Sequence, residues 1–261
     1  MRSPVPTVEE IAVALGERTM PEHTPVWDPA GLQLGDPAAE VARIGVCHEV
    51  NEAVVARVES APVDLLVTYH PLLFTPTNRL LAGRSAGARS YRLIRAGVAL
   101  LVTHTDFDAA PGGMADALAA FFGLRDSVAF GADDEEGLPP IGRHGAFSGT
   151  IGALDAMVSD AFGPIGIRIS GDREADVDRV AVVPGSGSAL ISAASLVAQA
   201  LVTGDVSHHQ AVAARDLGLA VVDPGHTATE RPGMGALVEM VTEASGLDVV
   251  DLTGFDPRTW V

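Results

Sequence analysis

The 261-residue chain has one cysteine, few aromatic side chains (5%), half as many basic as acidic residues (17 against 34) and no long apolar run. The lone Cys47 excludes an internal disulfide framework and a cysteine-rich zinc site; its apolar, strand-like setting reads as a buried core thiol. A net charge of −17 repels phosphate backbones and anionic lipid, so neither nucleic acid nor membrane is expected as a partner. No run reaches the roughly 18 uncharged apolar residues of a membrane span, and the first residues form no apolar signal core. A cytoplasmic location is therefore expected.

Apolar stretches of strand length alternate with helical patterns, which predicts α/β architecture with a largely parallel sheet in each of two domains. Thr7 and Glu10 form a capping-box pair ahead of a helix over 8–17. Strands are expected at 44–50, 65–68 and 98–103, with helices from Asn51 to about Val58, over 90–96 and over 114–122. Composition turns acidic and rich in Gly and Pro between Val128 and Gly145, placing the domain boundary there: 1–128, then 129–261, with elements exchanged between the halves. The run Asp133 to Glu136 reads as a solvated loop. Further strands are expected around Ala146 and at 165–170, 180–184, 200–203 and 219–223. Helices are expected at 154–161, 189–199 and 207–217.

Histidines and carboxylates recur at tight spacing in Tyr69-His70, in His104 to Asp108 and in His226 to Glu230. Imidazole nitrogen and carboxylate oxygen are the donors that a hydrolytic divalent metal requires. His70, His104 and His226 each follow an expected strand, where ligands of open α/β sheets gather. Residues four apart on a helix share a face, so His226 and Glu230 are expected to aim together; Pro232-Gly233 limits that segment to a single turn. Gly185-Ser-Gly187 reads as a tight turn, since no lysine follows to complete a phosphate-binding loop. Of His208-His209, adjacent on a helix, at most one is expected to face a site.

Five blocks carry a family resemblance: Trp27 to Asp36, Tyr69 to Phe74, His104 to Gly113, Thr203 to His209 and Asp223 to Glu230. In this order they resemble the signatures of the Nif3-like dinuclear metal-centre family, also catalogued as GTP cyclohydrolase 1 type 2 homologs. The resemblance implies two interlinked α/β domains with a metal site in the cleft between them, and a toroidal homohexamer. It carries metal-ligand roles onto His70, Asp108, His226 and Glu230, with His104 as a neighbour that orients the site. One or two divalent ions per chain (Zn, Fe, Mn, Co or Ni) are implied.

Tyr69 stands where the resemblance implies the first histidine of a pair, which makes it a doubtful ligand. A phenol has an ordinary pKa of about 10 and must lose its proton before it binds metal well. A second ion held weakly, a tyrosinate-bound harder ion, or one ion only are the three outcomes, and the first is expected. The resulting expectation is a metal-dependent hydrolase of a small anionic or nucleotide-like substrate, possibly of GTP cyclohydrolase type. A water activated by the metal would attack, with Glu230 as a possible catalytic group. The alternative is a metal-binding ring protein with a regulatory or scaffold role.

Overall fold

In the computed structural model residues 5–19, 24–131, 139–163 and 166–254 are described; the acidic run 133–136 and Ile165 lie outside them. The chain divides into two units, Met1–Phe107 with Leu237–Val261, and Asp108–Ala236.

The first unit opens with α1 (Val8–Thr19), whose capping box is formed. The Thr7 amide donates to Glu10 Oε2 at 2.8 Å, and the Glu10 amide to Thr7 Oγ1 at 3.2 Å. There follow β1 (Gly31–Leu34), β2 (Ile44–Cys47), α2 (Glu52–Ser60), β3 (Leu65–Thr68), α3 (Ala86–Arg95), β4 (Ala99–Val102) and α4 (Thr105–Ala109). Asn51 caps α2 by accepting from the Val54 amide at 2.9 Å. The sheet order is β1-β4-β3-β2-β11. Its last strand, β11 (Val249–Asp251), pairs in parallel with β2, so residues beyond 237 complete the first unit's sheet. The pairs β2–β3 and β3–β4 are parallel, and only the edge strand β1 runs antiparallel. Strands β2, β3 and β4 are buried at every position, as parallel strands covered on both faces must be. Cys47 is fully buried in this core, where loss of solvation pushes its thiol up to about 12.

The second unit contains α5 (Met114–Phe121), β5 (Arg125–Phe130), β6 (Gly142–Thr150), α6 (Ile151–Phe162), β7 (Arg168–Ser170), β8 (Asp176–Val182), α7 (Ile191–Ser195), β9 (Ala200–Val202), α8 (His208–Asp216) and β10 (Ala220–Asp223). Side-chain alternation separates two cores. Val180, Val182, Ala200, Val202, Ala220 and Val222 share one, and Ala181, Val183, Leu201, Leu219 and Val221 the other.

Three expectations are corrected. The second sheet, β5-β6-β8-β9-β10-β7, is mixed rather than largely parallel: β8–β9 and β9–β10 are parallel, the other three pairs antiparallel. Neighbouring elements in sequence, β5 and β6, form an antiparallel pair at this sheet's edge. The helix expected over 189–199 reduces to a 3-10 turn, Ser188–Leu190, and α7. Gln199 is withdrawn from it because its side-chain carbonyl accepts from the Asp178 and Arg179 amides, each at 3.0 Å. Finally, the single turn expected at His226 is the start of a 20-residue helix, α9 (His226–Ser245), with Pro232 inside it. Proline removes one helical hydrogen bond, but buried Met234, Leu237 and Val241, spaced three and four apart, supply an apolar stripe that carries the helix through. Gly233 lets that helix approach Met114, whose Cα would lie 3.0 Å from a Cβ at this position.

No helix among the described residues is long and apolar enough to cross a membrane.

Candidate metal-binding strand ends

In the first unit the register aligns Cys47 with Thr68 and Thr68 with Val102, so three parallel strands stop at one level. The residues that follow are His48, Tyr69-His70 and Thr103-His104. Their backbones stay laddered just past the strands: the His70 amide donates to the His48 carbonyl at 2.9 Å, and the Thr103 amide to the Thr68 carbonyl at 2.9 Å. The rings then pack on each other. His48 and His70 have centroids 4.6 Å apart, His70 and His104 5.8 Å, and Tyr69 stacks on His48 at 5.6 Å with an 8° interplanar angle. Tyr69 is 1% exposed, with its ring edge-on to both His104 and Phe107, so its aromatic body belongs to the core.

His104 is oriented by a buried carboxylate. Its Nδ1 lies 2.9 Å from Asp28 Oδ1, while Thr105 donates to Asp28 Oδ2 from its amide at 3.2 Å and its hydroxyl at 2.5 Å. Burial alone would raise the pKa of Asp28, but the His104 and Thr105 hydrogen bonds and the imidazole charge outweigh it and hold the carboxyl below its ordinary value. With Asp28 ionised, Nδ1 is the ring nitrogen that donates to it. Asp106, two residues on, is pushed up by burial even though its Oδ1 accepts from the His104 amide at 2.7 Å. Asp108 lies buried on α4 as the first residue of the second unit.

In the second unit, β10 ends at Asp223, and Pro224-Gly225 leads into α9. His226 Nε2 lies 2.8 Å from Glu230 Oε1, and Nδ1 lies 2.7 Å from Asp205 Oδ2. Burial lowers the pKa of this imidazole, yet the two carboxylates outweigh that and raise it to about 9. Glu230 is 1% exposed. Gly185, at φ +61°, comes so close that a Cβ would lie 2.8 Å from Glu230 Oε1 and 3.2 Å from His226 Nε2. At Gly204 a Cβ would meet the His226 amide nitrogen at 2.5 Å and the Gly185 carbonyl at 2.8 Å. Asp223 holds this corner by accepting from the Gly225 amide at 2.9 Å, the Val206 amide at 3.0 Å and the Arg168 guanidinium.

Gly185-Ser-Gly187 is a tight turn whose amides serve the fold. The Gly185 N–H donates to Thr229 Oγ1 at 2.9 Å and the Gly187 N–H to Thr203 Oγ1 at 2.8 Å. His208 and His209 are both exposed on the first turn of α8, behind the Ser207–Gln210 capping box.

His48, Asp28, Asp205 and Asp223 carry this geometry without having been singled out in the sequence. For His48 a signal was available. A strand expected to run to Val50 places His48 inside it, whereas β2 matched in length to β3 ends at Cys47 and puts His48 level with Tyr69. The partners of Asp28 and Asp205 lie 76 and 21 residues away, and no local spacing reports them.

Histidines and buried carboxylates at the carboxyl ends of strands, in both units of an α/β chain, define the class as candidate metal-binding α/β proteins. The chain belongs to the Duf34/NIF3 (NGG1p interacting factor 3) family, whose sequence profile matches residues 6–253. It is 33% identical over 271 aligned residues to the "GTP cyclohydrolase 1 type 2 homolog" of Streptomyces coelicolor, covering 98% of this chain and 94% of that one. Among solved structures it is similar to the Bacillus cereus protein related to NIF3 (TM-score 0.86, 21% identity, 99% of this chain and 100% of that one). It is also similar to reduced HcgD from Methanocaldococcus jannaschii (TM-score 0.80, 26% identity, 95% and 98%).

Proposed function

We propose that the protein is a metal-dependent hydrolase of a small anionic or nucleotide-like substrate. His48, His70 and Glu230, a group that could hold a metal ion, are the proposed ligands of a divalent ion. Asp108 and His226 extend the set toward a second, weaker one.

One observation carries this reading. At His226 an imidazole and two carboxylates converge: Nε2 lies 2.8 Å from Glu230 Oε1 and Nδ1 lies 2.7 Å from Asp205 Oδ2. Imidazole nitrogen and carboxylate oxygen gathered in this way are the N,O donor set that a divalent cation suits. Gly185 supports the same fit, because any side chain there would occupy the space next to Glu230 and His226.

A bound divalent ion supplies positive charge that lowers the pKa of water and polarises an electrophile. The chain's own residues do the rest. Asp28 fixes the His104 tautomer, giving an oriented Nε2 that can take up or return a proton. Asp205 orients His226, and Glu230 is the carboxylate that would anchor the metal. The name of the Streptomyces coelicolor relative supports opening of a guanine nucleotide ring by water as the first reaction to test. A toroidal homohexamer in the cytoplasm is part of the same proposal.

The test is to purify the full chain, count metals per subunit, and assay GTP and simple phosphodiesters with Mn, Fe, Co or Zn. One tight ion per chain and turnover of at least one substrate are expected. Glu230→Gln should lower metal affinity by at least the roughly 10-fold that loss of an outer-shell partner costs. If the fully metallated protein leaves every substrate intact while Glu230→Gln removes only metal, the hydrolase reading falls and a non-catalytic metal-binding role stands. Two tightly bound ions would overturn the proposed weakness of the second site.

A further inference from the structure

Trp27 and Phe74 stand apart in a chain with few aromatics: every other described Phe or Tyr ring is buried or half-buried. Trp27 is 53% exposed and Phe74 52%, and the two rings lie 6.5 Å apart at 54°. Scattered exposed apolar residues need no explanation, but a paired aromatic surface on an immobilised backbone does.

Hydrogen bonds hold the chain neighbours of both residues. Asp28, next to Trp27, is held by His104 and by both donors of Thr105. Leu73, next to Phe74, is clamped by the Gln33 side chain. The Leu73 amide donates to Gln33 Oε1 at 2.9 Å, and Gln33 Nε2 donates to the Leu73 carbonyl at 3.2 Å and to the Pro29 carbonyl at 3.0 Å. One glutamine thus ties the Trp27 segment to the Phe74 segment. The pair also connects inward: Phe74 meets His104 edge-on at 6.4 Å, and His104 meets His70 at 5.8 Å.

We infer that Trp27 and Phe74 form a stacking platform for the planar heteroaromatic ring of the substrate, a purine-type base, at the first unit's strand ends. The inference rests on the nucleotide-like substrate proposed above. Aromatic faces take any base, at about 1–3 kcal/mol each, and need no hydrogen-bond code, which accords with the lack of a base-reading motif in the sequence. Two exposed rings whose chain neighbours are held by buried and half-buried hydrogen bonds stand on an ordered backbone before ligand arrives, which lowers the ordering cost of binding.

Trp27 and Trp260 are the only tryptophans, so Trp260→Phe leaves Trp27 as the sole indole reporter. With the full-length, zinc-loaded protein, GMP should quench Trp27 emission saturably, and ribose 5-phosphate, which lacks the base, should not. Phe74→Leu, read by the same fluorescence, and Trp27→Leu, read by calorimetry with circular dichroism to confirm folding, should each raise the GMP dissociation constant roughly 5- to 150-fold. Equal binding of ribose 5-phosphate, or GMP binding indifferent to both substitutions, would overturn the platform. So would a change in oligomeric state in Trp27→Leu with GMP binding intact, since the pair would then be an interface between copies. GTP turnover measured alongside separates the two readings: turnover without quenching keeps the hydrolase and sinks the platform, whereas quenching without turnover does the reverse.

Discussion

In the first unit His104 is held by one buried carboxylate, Asp28, and surrounded by the rings of His70, Tyr69 and Phe74. In the second, His226 stands between two carboxylates and is crowded by glycines at 185 and 204. Both arrangements solve one problem, which is to fix an imidazole at the end of a strand. The first uses ring packing and presents imidazole nitrogens. The second uses charge and close backbone approach, and leaves anionic oxygen. Ring packing accommodates small changes of shape, whereas a backbone-to-backbone approach near van der Waals contact cannot. The second strand end should therefore be the more brittle of the two.

The strongest way to break this contrast is Gly204→Ala. Its Cβ would meet backbone atoms that cannot rotate away, so a loss of about 3 kcal/mol in urea unfolding is expected. Gly97→Ala is the control: at φ +72° with nothing within 4 Å, it should lose only the left-handed backbone penalty of about 1–2 kcal/mol. Equal losses would show that close approach is not what makes the second site brittle.

Next in size is Asp28→Asn, which keeps the shape but leaves His104 without its charged partner, at an expected cost of about 1–3 kcal/mol at pH 7. The folded pKa of Asp28 lies below its ordinary value, so its contribution is complete above that value and is lost as pH falls through the folded one. The wild type should lose this contribution below about pH 4, and the variant's unfolding free energy should be flatter across that range. An unchanged acid limb in chemical unfolding would remove Asp28 from its role.

The smallest effect sharpens the comparison from the other side. His208→Ala, at an exposed position of the tandem pair, should change stability by no more than about 0.5 kcal/mol and leave bound metal unaltered. Loss of metal in this variant would mean that the exposed pair, not the strand-end histidines, supplies ligands.

The legible and illegible parts of the molecule follow the range of the forces involved. Capping at Thr7 and Asn51, the all-buried strands at 65–68 and 99–102, and the His226–Glu230 contact depend on residues within a few positions of each other, and each was readable. Antiparallel β1, returning β11 and the partners Asp28 and Asp205 depend on pairings far apart in the sequence. The persistence of α9 through Pro232 was hidden for a related reason. Local propensity argues for a stop there, and only burial of Met234, Leu237 and Val241 overrides it.

By itself the sequence determined the alternation of strands and helices, the acidic surface, the buried thiol and the strand-end positions of His70, His104 and His226, because periodicity, charge and capping act locally. Tertiary structure alone decided that Tyr69 is a core ring and that Asp28 and Asp205 orient the two site histidines. Strand register and burial set those relations, and both are properties of packed neighbours rather than of adjacent residues.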